Sequence, residues 1–151
     1  MNSKEEEYKE LFLAEALENY EEVSRLLTEV EKRPSDPEVI SAIFRITHTL
    51  KGNAAGMGFK KIAEFSHVME DLFGEVRDGR LQLSANIISI LFRAVDILGS
   101  LINSLKTDEV VRHRGIQTKL EVLIKNAKQS EASTTPTPSE SIPAEKEEGV
   151  G

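Results

Sequence analysis

The stretch Phe44-Arg-Ile-Thr-His48-Thr-Leu-Lys51-Gly52-Asn-Ala-Ala-Gly56-Met-Gly58-Phe59 decides both the fold and the chemistry that we expect of this chain. Apolar residues recur in it every three or four positions, which predicts a helix that ends at the glycines before Phe59. A glycine inside a helix costs roughly 1 kcal/mol relative to alanine, so Gly52 indicates a requirement other than helix stability. We expect this requirement to be open space next to His48.

The segments around this helix predict three more long helices and a shorter fifth one. Apolar residues recur at intervals of three and four in each segment, and short connections separate the segments at residues 34–37, 77–84 and 107–115. Pro37 suits the first turn of the second helix, with Ser35 or Asp36 as its N-cap, and Ser84 suits the N-cap of the fourth. Long helices joined by so few residues lie antiparallel and side by side. The sequence therefore predicts an all-α fold, an up-down four-helix bundle with a fifth C-terminal helix.

The composition changes after residue 128. Residues 129–151 are rich in Ser, Thr, Pro and Glu and have no apolar periodicity, which is typical of a disordered linker. We therefore expect one helical domain at residues 1–128 and a disordered acidic tail at residues 129–151. Because a linker normally joins two domains, this composition indicates the N-terminal piece of a larger protein.

Composition and charge exclude several classes of function. The chain has 151 residues, no cysteine and a formal net charge of −7. Without cysteine there is no disulfide and no thiolate metal site, and the negative charge argues against nucleic acid or an anionic membrane as a partner. The N-terminus lacks the apolar core of a signal peptide, and no window approaches the ~20 apolar residues of a membrane span. We expect a soluble, cytoplasmic protein.

Four side chains of the second and third helices are expected to meet. The two helices form a hairpin that turns near Phe59; His48 lies eleven residues before it and Glu70 eleven after, while Lys51 lies eight before and His67 eight after. At ~1.5 Å of rise per residue, these pairs occupy two matched levels about one turn apart. Within each helix the spacing i, i+3 puts the two members on one face. The hairpin therefore predicts a square of two histidines, one lysine and one glutamate.

This square indicates a nucleophilic histidine. An imidazole acts as a nucleophile through one ring nitrogen while the other holds a proton and points it at an acceptor. Glu70, level with His48, is suited to be that acceptor. Lys51 places a positive charge where it could offset an incoming phosphoryl group or position Glu70. We therefore expect the site to accept a phosphoryl group and to pass it on.

The motif His48-Thr-Leu-Lys51-Gly52, with the glycine-rich run to Gly58-Phe59, closely resembles the phosphorylation site of histidine phosphotransfer (HPt) domains. The resemblance covers about residues 5 to 128 and is strongest to the N-terminal domain of CheA-like chemotaxis histidine kinases. It implies that His48 is phosphorylated on Nε2 and that Glu70 holds Nδ1–H. It also implies that Lys51 and His67 complete the hydrogen-bond network.

The resemblance also implies the partners of this chain. A separate ATP-binding kinase domain, which uses ATP and Mg, would supply the phosphoryl group, and an aspartate of a response regulator would remove it. Gly52, Ala55 and Gly56 are assigned to the docking of these partners. We expect no cofactor and no metal bound in this chain. Because it has no glycine-rich phosphate loop, we expect a substrate and carrier, and not a complete enzyme.

Three other interpretations stay open on the sequence alone. The nearest is a stand-alone HPt protein of a phosphorelay. The second is a metal-binding helical bundle that uses His67, Glu70 and His48 as ligands, although the further glutamates of such bundles are missing. The third is a helical adaptor without chemistry. The remaining histidine, His113, is interpreted as a surface residue.

Overall fold

The computed structural model describes residues 3–134, which form five helices. These are α1 (Ser3–Lys32), α2 (Pro37–Met57), α3 (Lys60–Arg77), α4 (Ala85–Thr107) and α5 (Arg114–Thr134). The predicted all-α class with five helices is confirmed.

The helix ends follow from the residues found there. Asp36 is the N-cap of α2, where its Oδ1 accepts the Glu38 N–H at 3.0 Å, and Pro37 occupies the first helical position. Gly58 ends α2 in the left-handed conformation, with φ of 80°. Ser84 is the N-cap of α4, where its Oγ accepts the Ile87 N–H at 3.3 Å. These predicted signals therefore fix both ends of α2, the helix that carries His48, and the start of α4.

The first four helices form an up-down bundle, and α5 covers one side of it. Each helix contacts the next one in the chain, and α1 contacts α4, which closes the ring. The fifth helix packs against α3 and α4. Between the helices lies an apolar core whose fully buried members include Val23, Leu27, Ile43, Leu50, Phe65, Phe73, Leu91, Leu98, Ile102 and Leu120. This packing, more than helix propensity, holds α2 and α3 in a fixed register.

Aromatic packing joins α1 to the turn of the α2–α3 hairpin. The ring of Phe12 meets the ring of Phe59 edge to face, with 5.0 Å between the centroids. Such pairs contribute about 0.5–1.5 kcal/mol beyond the area that they bury. The contact keeps the first turns of α1 beside the last turns of α2.

The apolar helix α4 corrects one expectation about membranes. By length and composition alone, α4 is able to cross a membrane, so the statement that no window approaches such a span was wrong. In the bundle, however, α4 is a core helix that contacts α1, α3 and α5. Its apolar residues pack against these three helices: Ile88, Leu91, Val95, Leu98, Leu101 and Ile102 are buried. The core of the bundle therefore accounts for its apolar composition.

Helix α5 differs from its prediction in two ways. It is as long as α2 and continues to Thr134, past the expected domain boundary at residue 128. The rest of the predicted linker, residues 135–151, lies outside the described residues, so the linker stays a prediction. In addition, His113, expected at the surface, is buried just before α5, where its ring and that of Phe65 on α3 meet at nearly a right angle.

Candidate functional site

His48 on α2 and Glu70 on α3 are in direct contact. His48 Nδ1 lies 2.5 Å from Glu70 Oε2. The side chain of Glu70 is only 9% exposed, whereas that of His48 is 61% exposed. The carboxylate is therefore held inside the hairpin, and the imidazole extends from it into solvent.

Lys51, one turn after His48, contacts the other oxygen of the same carboxylate. Its Nζ lies 2.7 Å from Glu70 Oε1, and the lysine side chain is 28% exposed. Residues 48 and 51 share a face of α2, so one buried carboxylate on α3 can bridge both of them. The structure thus brings together three of the four predicted site residues.

The charges around Glu70 determine its protonation. Burial alone would raise the pKa of this carboxyl, but hydrogen bonding and positive charge from Lys51 and His48 outweigh burial and hold the pKa below its ordinary value. Glu70 is therefore an ionised carboxylate at neutral pH, and it can only accept hydrogen bonds. His48 Nδ1 must then be the donor, which leaves the lone pair of a neutral imidazole on Nε2. An exposed ring nitrogen with a free lone pair is a nucleophile.

His67 has a different partner from the one expected. Its Nε2 lies 3.5 Å from Asp71 Oδ2, and its side chain is 56% exposed. Among the described contacts, none joins His67 to His48, Lys51 or Glu70, so its expected place in their network is not what the structure shows. The reason is angular, because residues three apart on a helix differ by about 60° around the axis, which turns His67 toward solvent. Asp71 was missed, although the i, i+4 spacing from His67 is a signal for such a pair.

The residues assigned to docking form an open surface beside His48. Gly52, Ala55 and Gly56 are exposed on α2. A Cβ atom added to Gly52 or Gly56 would meet nothing within 4 Å. Gly52 therefore does not serve a close crossing of helices, and its exposed backbone is free for a partner.

A shallow groove between α1 and α2 continues this surface. Its far wall is formed by residues of α1 that the sequence did not indicate as functional. Two of them, Tyr8 and Leu11, are large apolar side chains that are 55% and 67% exposed. Asn53 Nδ2 reaches across the groove to Glu15 Oε1 at 3.4 Å. The unusual exposure of Tyr8 and Leu11 is visible only once α1 is placed beside α2.

The alternative of a metal site requires ligands that converge. Among the side chains of residues 3–129, no group of three or more His, Asp or Glu is placed to hold a metal ion. Both oxygens of Glu70 already face a positively charged or hydrogen-bonding partner. The geometry therefore favours the nucleophilic histidine over a metal ligand set.

Comparisons with known proteins point to one family. A family model described as the Hpt domain matches residues 7–108. The chemotaxis protein CheA of Listeria monocytogenes is 34% identical over 97 residues, which make up 64% of this chain and 16% of that protein. This chain thus spans about a sixth of the length of the curated relatives that it matches.

Solved structures agree with this match. The CheA phosphotransferase domain from Thermotoga maritima is 31% identical, with a TM-score of 0.62 over 66% of this chain and 94% of that one. The phosphorylated P1 domain of CheA3 in complex with CheY6 from R. sphaeroides is 24% identical, with a TM-score of 0.62 over 84% of this chain and 97% of that one, and shows the shared fold. Because the family model covers about two thirds of its residues, the chain belongs to the Hpt domain family, and its relatives are of the CheA type.

Proposed function

We propose that this chain is the phosphoacceptor and phosphotransfer module of a CheA-like chemotaxis histidine kinase. The observation that carries the proposal is the pairing of His48 Nδ1 with the buried Glu70 carboxylate at 2.5 Å, which leaves Nε2 as the second ring nitrogen of a side chain that is 61% exposed. Membership in the Hpt domain family supports the same chemistry.

The first half-reaction loads the phosphoryl group. The lone pair of His48 Nε2 forms a bond to the γ-phosphorus of ATP, the bond from that phosphorus to the bridging oxygen breaks, and ADP leaves with the electron pair. Nδ1 keeps its hydrogen, so the ring becomes positively charged. The ionised Glu70 stabilises this charge as it develops, because it already accepts the Nδ1–H bond.

The second half-reaction unloads it. A carboxylate oxygen of a response-regulator aspartate attacks phosphorus, and the bond from phosphorus to Nε2 breaks. The electron pair returns to Nε2, and the ring is again a neutral imidazole with its hydrogen on Nδ1. Lys51 contacts the same carboxylate as His48, and we assign its positive charge to offsetting the negative charge of the phosphoryl oxygens in both directions.

The partners follow from what the chain lacks and what it exposes. The ATP-binding domain, with its ATP and Mg, is a separate kinase domain, because the sequence of this chain has no glycine-rich phosphate loop. The receiver domain of a response regulator docks on the surface formed by Gly52, Ala55 and Gly56, in keeping with the CheY6 partner of the related P1 domain. We place this exchange in the cytoplasm.

A stand-alone phosphorelay protein is the nearest alternative within this class. The matched part of this chain corresponds to between 11% and 19% of the CheA relatives, and the matches to them favour the kinase-linked form. The length of the full reading frame separates the two possibilities.

Labelling tests the proposed function. Incubation with a CheA kinase core and ATP labelled at the γ-phosphorus should give acid-labile, alkali-stable label on this chain. We expect His48→Gln to lose the label and the control His113→Gln to retain it, because the described contacts of the His113 ring are with Phe65 and Val111. Circular dichroism checks that both variants fold. Label that persists in His48→Gln would refute the assignment of the phosphoacceptor.

A further inference from the structure

Ser66 on α3 is a buried polar residue that the site described above does not use. Its side chain is fully buried, and its Oγ has no hydrogen-bond partner among the described residues. A buried hydroxyl on a helix usually bonds to a carbonyl of the preceding turn, as Thr47 Oγ1 does with the Ile43 carbonyl at 3.0 Å. An unpaired hydroxyl in this environment is unfavourable, so Ser66 calls for an explanation other than helix stability.

Glu70 lies one turn after Ser66 on the same face of α3. Helical side chains lean toward the amino terminus, so the carboxyl group of Glu70 extends over the turn that carries Ser66. Its Oε1 is buried and faces Lys51 Nζ at 2.7 Å, and among the described residues no further donor contacts this oxygen. Because a carboxylate oxygen has two lone pairs, Oε1 has room for a second donor.

Lys51 has two possible uses in the proposed reaction. It neutralises Glu70 Oε1 at rest, and it is 28% exposed on the same face of α2 as His48, so its ammonium can also turn toward a phosphoryl group on Nε2. When it turns, Oε1 stays buried and loses the one ion-pair partner that it has among the described residues. A donor inside the hairpin is then needed to keep Glu70 ionised and oriented.

We propose that Ser66 is a positioning residue of this site: its hydroxyl rotates to donate a hydrogen bond to Glu70 Oε1 when Lys51 turns to the phosphoryl group. This proposal rests on the proposed function for its purpose, although the hydrogen bond itself can be measured without it. No proton is transferred in the exchange, since a hydroxyl replaces an ammonium as donor. Glu70 thereby continues to hold the Nδ1–H of His48 while the phosphoryl group is attached.

A double-mutant cycle tests the hydrogen bond. In the wild-type chain Lys51 covers Oε1, so Ser66→Ala should change the pKa of Glu70 little. In Lys51→Met the Ser66 hydroxyl is the remaining donor, and adding Ser66→Ala should raise the pKa of Glu70, whereas adding Ser66→Thr, which keeps a hydroxyl, should not. The pKa is measured from the ¹³C chemical shift of the Glu70 carboxyl during a pH titration.

A matched control uses another serine. Ser104 Oγ on α4 already donates to the Leu101 carbonyl, so Ser104→Ala should leave the pKa of Glu70 unchanged in both backgrounds. Equal pKa values of Glu70 in Lys51→Met with and without Ser66→Ala would overturn the proposal.

Phosphoramidate provides the second readout, because this small donor needs no kinase domain. His48 Nε2 bonds to the phosphorus of the N-protonated donor, the P–N bond breaks, and neutral ammonia leaves with the electron pair while Nδ1 keeps its hydrogen. Ser66→Ala should slow this reaction about tenfold, as expected for the loss of a hydrogen bond to a charged group, and Ser66→Thr should restore it. An unchanged rate in Ser66→Ala would overturn the role of Ser66 alone. Failure to label wild-type His48 would instead contradict the proposed function. The double-mutant cycle on the pKa of Glu70 would still test the hydrogen bond from Ser66.

Discussion

Glu70 accepts from one side chain with each oxygen, and this double contact organises the site at the scale of single residues. Oε2 faces His48 Nδ1 at 2.5 Å, and Oε1 faces Lys51 Nζ at 2.7 Å. The first contact sets the tautomer of the imidazole, and the second helps to keep the carboxyl ionised. A single buried group therefore controls the nucleophile without touching the reacting nitrogen.

Replacing Glu70 with glutamine tests whether its carboxylate controls the reactivity of His48. Glu70→Gln keeps the shape of the side chain but removes its charge, so the positive charge that develops on the ring loses its partner. We expect phosphorylation of His48 to slow about ten- to hundredfold, the range that corresponds to a hydrogen bond to a charged group, while helix content stays constant. Rapid-quench measurement of labelled protein gives the rate. An unchanged rate would refute the orienting role of Glu70.

The same carboxylate makes stability depend on pH. The pKa of Glu70 is lower in the folded chain than its ordinary value of 4.5, so the ionised form stabilises the fold above that value and the contribution is lost as pH falls through the folded pKa. The difference in unfolding free energy between wild type and Glu70→Gln should therefore be largest near neutral pH and should shrink in acid. Urea denaturation of both proteins between about pH 7 and pH 3 measures this difference. A difference in unfolding free energy that does not change with pH would contradict the lowered pKa of Glu70.

At the scale of elements, the α2–α3 hairpin is the unit that makes the site. The length of its first helix, α2, is fixed by the Asp36 N-cap and by Gly58 in the left-handed conformation. Counting residues from the turn was sufficient to predict that His48 and Glu70 lie level, since the rise per residue is constant along both helices. It was not sufficient to place His67, because the position of a residue along the helix axis does not determine the direction of its side chain around that axis.

A substitution at Gly52 tests whether the open surface of α2 serves partner docking. Gly52→Leu introduces a side chain into space that is empty within 4 Å of the new Cβ, so helix content should not fall. Transfer from His48 to a response regulator should slow by more than tenfold, because the bulk keeps two protein surfaces apart, while labelling by the small donor phosphoramidate should slow far less. The ratio of the two rates is the measurement. Equal loss in both reactions would contradict a docking role for this surface.

A substitution at Gly99 tests the contact between α1 and α4. A Cβ atom at this position would lie 2.6 Å from Cε1 of Tyr20, so Gly99→Ala should destabilise the chain by about 1–3 kcal/mol through overpacking. In a Tyr20→Ala background the clash is absent, and Gly99→Ala should stabilise by up to about 1 kcal/mol through helix propensity. Denaturant melts of the four proteins measure both effects. The same sign in both backgrounds would show that Tyr20 is not the obstacle.

At the scale of the whole molecule, local signals and long-range packing were predictable to different degrees. Proline, glycine and serine mark the helix ends in the sequence, and the apolar periodicity gives the bundle. The burial of His113 depends on Phe65, which lies far away in the chain, and the exposure of Tyr8 depends on where α1 lies beside α2. Such contacts depend on how the helices rotate against one another, which the periodicity of one helix does not specify.

The state of the two nitrogens of His48 is the most direct test of the central claim. Nitrogen-15 NMR of histidine-labelled protein at neutral pH reports which nitrogen carries hydrogen, and coupling to phosphorus-31 after reaction with phosphoramidate reports which nitrogen carries the phosphoryl group. We predict hydrogen on Nδ1 before the reaction, and afterwards a bond from phosphorus to Nε2 of His48 with Nδ1 still protonated. Phosphorus bonded to Nδ1, or to a residue other than His48, would contradict the claim that Glu70 prepares this nucleophile.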